Sequence, residues 1–418
     1  MPGLPPELIR RIVSYFRCDS DYTFLKRACL VSSSFRKPCQ EVLFSELALY
    51  PSEDSFETSI GQRFLSLLDE SPFVARYVKS LTILANSGAA TKWLASDEAL
   101  EAILGRLAAL QIITDFTFVY ITSGQWYTVP AQTRESIEGL CQSPSLSSLS
   151  IEYGPICLVT FASPSIKRLT LTNLIVESDC MLPSSLLGST TPIHRPKLKQ
   201  LNIHPHPTRD LSRVIPFLVG PSASVDITGL EVLSVTESSM PIEEYGLINC
   251  LLLPCASSLR VLALTLDPTG PLSGANLRSF INLSTLANLR ELSIQVNNFF
   301  RRWQEPRGLH LLPSLLKATP LAGSLESFNL YIIHHHGTYQ RYLHGGELDL
   351  YQYDVWQEID VALTDKKQFP ELRRVKVTVV DDYFSGKPTR QWVEECIPLV
   401  KRGGLLEARA MTYLAYEA

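Results

Sequence analysis

The sequence predicts an α/β solenoid, parallel strands on the inside and helices on the outside, preceded by a small all-helical module. Two observations predict the solenoid. First, the spacing apolar-x-x-apolar-x-apolar returns ten times from residue 78 onward. The copies are Val78-Leu81-Ile83, Ile113-Phe116-Phe118, Leu146-Leu149-Ile151, Ile166-Leu169-Leu171, Leu198-Leu201-Ile203, Leu230-Leu233-Val235, Leu259-Leu262-Leu264, Leu289-Leu292-Ile294, Leu325-Phe328-Leu330 and Leu372-Val375-Val377. Successive copies start 35, 33, 20, 32, 32, 29, 30, 36 and 47 residues apart, room for a strand and, in most intervals, a helix. Second, stretches of helical spacing lie between them. A strand followed by a helix, repeated without reversal, makes the strands parallel. Each unit can bury its apolar face only against its neighbours, so the units stack. The helical module is predicted by the first fifty residues, where apolar residues recur at helical spacing.

The module opens on Leu4-Pro5-Pro6-Glu7. A proline fits the first helical turn, where its missing amide hydrogen costs nothing, and Glu7 then suits the helix dipole. Leu8, Ile9, Ile12, Val13 and Phe16 follow at helical spacing, with Arg10, Arg11 and Ser14 between them. Leu25, Ala28, Cys29, Val31 and Phe35 offer a second apolar face. A segment of roughly 45 residues is near the lower limit for a self-sufficient core. Part of its apolar surface should therefore be covered by a partner or by the following domain. A docking module leaves Leu8 and Ile12 open; a mere cap on the array buries them.

The module spans 1–47, and the polar, acidic stretch around Ser52-Glu53-Asp54-Ser55 makes 48–60 a linker. The array occupies 61–404. Its helices are predicted over 61–77, 97–110, 132–141, 211–219, 243–253, 276–286, 309–318, 354–363 and 389–400. An insertion near 332–352 lengthens the last interval and reads as a projecting loop. Residues 405–418 read as an atypical strand that caps the open edge.

Composition excludes several functions. With 45% hydrophobic and 19% charged residues the chain can bury a large core and is not disordered. Thirty-eight Lys and Arg against 42 Asp and Glu leave a charge of −4, which argues against a nucleic-acid binder with a basic stripe. No apolar run is long enough for a membrane span, and a module starting at Leu4 leaves no room for a signal peptide. Nine cysteines, an odd number without any Cys-x-x-Cys, suit reduced thiols in a cytoplasmic or nuclear protein. Gly386-Lys387 fails as a phosphate loop, because Asp381 stands where a glycine is required and Pro388 follows. His334, His335 and His336, with His344 nearby, are the closest approach to a metal set. Adjacent strand residues point to opposite faces, so three in a row can hardly converge on one ion. The expectation is a non-enzyme without cofactor or metal.

Strand side chains alternate, so the third, fifth and seventh residues of each copy should point away from the core. The fifth positions run Thr82, Thr117, Ser150, Thr170, Asn202, Ser234, Ala263, Ser293, Asn329 and Lys376. The flanking rows add Asp115, Glu152, Arg168, Gln200, His204, Glu291, Gln295, Tyr331 and Arg374. Such a wall of hydrogen-bonding groups with few charges is a candidate surface for a protein substrate. The competing reading is an ordinary uncharged strand face, to which threonine is well suited.

The repeat spacing resembles the leucine-rich-repeat family in a degenerate form. That family places Asn or Cys three residues after the last strand leucine, to satisfy a turn. Asn86 and Asn297 stand there; His206, Ser238 and Asp267 fill it elsewhere, and Ile121, Ile333 and Val380 cannot serve. Leu4-Pro5-Pro6-Glu7-Leu8-Ile9-Arg10-Arg11-Ile12-Val13, followed by the run from Leu25 to Arg36, resembles an F-box. Together the two parts resemble the F-box/leucine-rich-repeat substrate receptors of SCF-type cullin–RING ubiquitin ligases. The resemblance implies that Leu4, Pro5, Leu8, Ile9, Ile12, Leu30, Val31 and Phe35 bind a Skp-type adaptor, with Phe35 replacing the more usual tryptophan. Through that adaptor come cullin and RING subunits; the array holds a protein substrate, and ubiquitin transfer is done elsewhere. The alternative is a repeat scaffold for protein interaction that is not attached to a ubiquitin ligase.

Overall fold

In the computed structural model each of the ten apolar spacings places its second and third residues, buried, inside a strand, with the first residue buried just before it. The structure describes residues 4–16, 22–51, 59–85, 90–120, 126–174, 195–205, 211–220, 223–236, 240–241, 245–266, 268–269, 281–299, 307–317, 324–335, 353–381 and 389–412. They fall into two units, residues 1–196 and 197–418.

The first unit starts with three helices, α1 (Pro6–Ser14), α2 (Tyr22–Val31) and α3 (Ser33–Leu43). Ser32 caps α3 by accepting the Ser34 amide at 3.3 Å. Ile9, Val13, Leu25 and Cys39 form their shared core, with Phe16, Phe35, Val42 and Leu43 packed around it. Next comes β1 (Glu46–Leu49), so residues 48 and 49, expected in the linker, close a strand instead. It lacks the apolar spacing of the ten copies and leaves Leu49 as its one buried side chain. Then follow α4 (Ile60–Glu70), β2 (Ser80–Ala85), α5 (Ala90–Ser96), α6 (Glu98–Leu110), β3 (Asp115–Tyr120), α7 (Ala131–Cys141), β4 (Ser148–Glu152) and β5 (Arg168–Thr172). A capping box between Ser59 and Gln62 starts α4, and the Asp97 carboxylate starts α6 by accepting the Ala99 and Leu100 amides. The helix expected over 61–77 breaks at Ser71-Pro72 into α4 and a 3₁₀ turn. All five strands pair in parallel and in chain order.

The second unit repeats the scheme. Its elements are β6 (Gln200–His204), α8 (Leu211–Leu218), β7 (Val232–Val235), α9 (Tyr245–Cys255), β8 (Val261–Thr265) and β9 (Glu291–Phe299). They continue as α10 (Arg307–Lys317), β10 (Ser327–His335), α11 (Tyr353–Thr364), β11 (Arg374–Asp381), α12 (Thr389–Cys396), α13 (Pro398–Arg402) and β12 (Leu406–Thr412). Seven strands again pair in parallel and in chain order. Pro398 splits the helix expected over 389–400, because the residue before a proline is driven out of helical geometry. No helix covers 281–286, the described part of the stretch expected over 276–286. Each unit is thus an α/β arrangement of the solenoid type.

One correction concerns the family's turn position. Strands β9, β10 and β11 run on to 299, 335 and 381, so Asn297, Ile333 and Val380 pair with one another inside the sheet rather than in turns. Parallel pairing continues through these segments, Val296–Phe299 against Ile332–His335 and Ile332–His334 against Val379–Asp381, and carries the strands past the point where a turn was expected. Asn86, Ile121, His206, Ser238 and Asp267 lie outside the described residues. Residues 332–335 of the expected insertion complete β10, while 336–352 lie outside them.

A serine device supplies what the asparagines do not. The residue just before the opening apolar position is serine in four copies, and each hydroxyl donates to the carbonyl of the residue opening the previous copy. The contacts are Ser145 to Ile113 (2.8 Å), Ser165 to Leu146 (2.8 Å), Ser258 to Leu230 (2.8 Å) and Ser324 to Leu289 (2.9 Å). One hydrogen bond of this kind is worth about 0.5–1.5 kcal/mol, more where a buried acceptor is left without a donor. Ser165→Ala should therefore lower the stability of the first unit by about 1 kcal/mol, and the double change with Ser145→Ala by up to about twice that. Urea denaturation measures both; an unchanged midpoint in the double variant contradicts the role.

Candidate functional site

The resemblance assigned eight residues to adaptor binding, and the structure sorts them into three groups. Leu4, Pro5, Leu8, Ile12, Leu30 and Val31 are exposed: Leu8 at 47%, Ile12 at 38%, Leu30 at 84% and Val31 at 85%. Phe35 is half-buried against the core of the three helices. Ile9 is a correction, since at 2% exposure it belongs to that core together with Val13. Successive helical residues are about 100° apart, so Leu8 and Ile12 make one apolar stripe and Ile9 and Val13 the next. Both stripes look alike in sequence, and only packing against Leu25 and Cys39 decides which one faces inward.

Two further exposed aromatics, Tyr15 just after α1 and Phe24 on α2, escaped the sequence reading. Phe24 lies against Phe16 with ring centroids 4.4 Å apart. The three helices expose Arg10, Arg11, Lys26, Arg27, Arg36 and Lys37, while Glu7 and Glu41 are the acids among the described residues of 4–45. Among their described residues α1 to α3 thus present apolar side chains and mainly basic charge to solvent, although the whole chain carries −4.

The nine candidate substrate residues all sit on strands, divided between the units. In the first, Asp115 on β3 and Arg168 on β5 occupy one row across Ser148 and pair with each other at 2.8 Å; Glu152, further along β4, is half-buried. In the second, Gln200, Glu291 and Arg374 share one row, and Gln295 and Tyr331 another. Most of these groups already have a protein partner. Glu291 accepts the Asn329 side-chain amide at 2.7 Å, which also donates to Ser293 at 3.0 Å. Arg374 is bound by Glu407 at 2.7 Å, Gln200 donates to Asn202, and Lys376 donates to the Tyr331 hydroxyl at 3.3 Å. The strand faces are cross-linked by their own side chains, within a row for Asp115–Arg168 and Asn329–Ser293 and between rows for Asn329–Glu291, Arg374–Glu407 and Lys376–Tyr331, a feature that spacing cannot reveal.

His204 is hydrogen-bonded through Nδ1 to the Thr236 hydroxyl, and burial lowers its pKa. Below the ordinary histidine value of about 6.5 the unfolded chain takes up the proton first, so the folded state loses stability as pH falls from there. Glu231 and Glu407, held low by hydrogen bonds from Lys199 and Arg374, lose their contribution only in the lower carboxylate range. His204→Gln should flatten the fall in thermal midpoint between about pH 6.5 and 5 and leave the lower fall in place. Parallel curves for the two proteins across that window would contradict this.

The seven described cysteines form no disulfide. Burial pushes the thiols of Cys39 and Cys255 up to about 11 and that of Cys396 up to about 12, so they stay protonated. Among the described residues no three His, Cys, Asp or Glu side chains gather as a metal site, and no helix is long and apolar enough to cross a membrane. His334 and His335 end β10, while His336 and His344 lie outside the described residues. Neither a protein-family model nor a curated protein matches the chain.

Proposed function

We propose that the protein is a substrate-recognition adaptor, linking a target protein to an SCF-type ubiquitin ligase through its amino-terminal helices. One observation carries the reading: α1 to α3 fill their own core with Ile9, Val13, Leu25 and Cys39, yet leave Leu8, Ile12, Leu30 and Val31 uncovered. A helical cap on the array would have buried these side chains. Full burial of such a side chain is worth about 1.5–3 kcal/mol; Leu30 and Val31 have most of that still to gain and Leu8 and Ile12 less than half, set against the cost of association. The partner is a Skp-type adaptor, which brings the cullin and RING subunits. The mainly basic charge of the three helices favours an acidic partner, so association should slow and weaken with added salt. The array's strand face, rich in hydroxyl and amide groups, holds the target.

The experiment is an affinity capture of the full chain and of Leu8→Asp from cells that contain the ligase subunits. The wild type is expected to retain the Skp-type adaptor and cullin; Leu8→Asp is expected to lose both while keeping its other partners. Undiminished adaptor capture by Leu8→Asp sinks the docking face. If the wild type captures no adaptor, the ligase link falls with it.

A further inference from the structure

The last strand of the second unit, β12, pairs with β11 alone among the described residues. A strand in that position presents a row of unpaired amides and carbonyls on its other side. Which residues present them can be read from one contact. The Val375 amide donates to the Leu405 carbonyl at 2.8 Å, so residues 405, 407, 409 and 411 turn their backbone groups towards β11. By alternation, residues 406, 408, 410 and 412 turn theirs outward. Glu407 and Arg409, meanwhile, carry their side chains on one face, joined at 2.5 Å.

We propose that β12 is a self-association edge, at which two copies of this chain pair antiparallel about a twofold axis through Ala408. The register is selected by charge and by hydrogen-bonding geometry together. Centred on Ala408, residue 408 faces its own copy and 406 faces 410, all with outward backbone groups, so each facing pair exchanges two hydrogen bonds. The same register sets Glu407 opposite Arg409 of the other copy, twice, in the non-hydrogen-bonded positions where side chains approach most closely. A centre on 407 would oppose glutamate to glutamate, and one on 409 arginine to arginine. Like charges directly opposite are destabilising. Small Ala408 leaves the axis unobstructed, and Arg374, already on Glu407 at 2.7 Å, extends each pair into a chain of three charges. The contact is isologous, which closes the assembly at two copies.

The test is the mass of the full-length protein in solution, by sedimentation, up to about 100 µM, where a dissociation constant in the tens of micromolar still populates the dimer. The wild type is expected at twice the 46.7 kDa of the chain. Ala408→Pro removes an outward amide without touching the β11 ladder and is expected at the single mass. Glu407→Arg and Arg409→Glu are each expected to be monomeric, because like charges then face each other. An equimolar mixture of those two variants restores both opposite-charge pairs and is expected to return to the double mass, which misfolded proteins could not do. A wild type that stays monomeric throughout, a dimer that survives Ala408→Pro, or a mixture that stays monomeric each overturns the proposal.

Discussion

Asp360→Ala is expected to destabilise the second unit by about 2–4 kcal/mol, the cost of stranding one buried and one part-buried amide that a charged acceptor now serves. Asp360 lies in α11 at 2% exposure. Its two carboxylate oxygens accept the amides of Leu399 and Val400, each at 2.8 Å. Those amides belong to the first turn of α13, where no intrahelical carbonyl can reach them, and Pro398 brings no donor of its own. The cap therefore comes from another helix, 39 and 40 residues away in sequence. Asp360→Asn separates shape from charge: its amide oxygen can still accept one bond, but its NH₂ meets the other donor, so roughly half the loss is expected. Urea denaturation measures the total. Hydrogen exchange at Leu399 and Val400 measures the local part, and these amides should lose protection before the core strands do. Full protection there in Asp360→Ala would contradict the assignment.

Asp360 also shows where a sequence stops being legible. It stands among Trp356, Ile359 and Leu363, and an acid on such a helix reads as solvated, because its partners lie three elements further on. The ten strands were legible because period-two burial leaves a local mark that needs no knowledge of the partner. Strand β1 was not, since Glu46–Leu49 bury only Leu49 and lean on β2 for their pairing. The serine contacts leave a local mark too: Ser145, Ser165, Ser258 and Ser324 share one repeat position, immediately before the opening apolar residue. For the strand face, register placed all nine candidates on strands, but not their mutual pairing. Asp115 and Arg168 stand 53 residues apart and meet across a third strand.

The amino-terminal helices give the second large effect, through two neighbours of opposite fate. Ile9→Asp is expected to unfold α1 to α3, and Leu8→Asp to leave them folded while adaptor affinity falls by about 30-fold or more. Ile9 is one of the four fully buried side chains of that core among the described residues, so a carboxylate there must stay charged without water or a partner, or take up a proton. So small a core has little stability to lose. Leu8 at 47% exposure can carry a carboxylate in water at almost no cost, and the cost appears only when a partner covers it. Circular dichroism and hydrogen exchange over residues 6–43 read the folding half, and titration with a Skp-type adaptor reads the binding half. If Leu8→Asp lost its helical protection as Ile9→Asp does, the open stripe would be a packed one, and the docking surface would have to lie elsewhere on the chain.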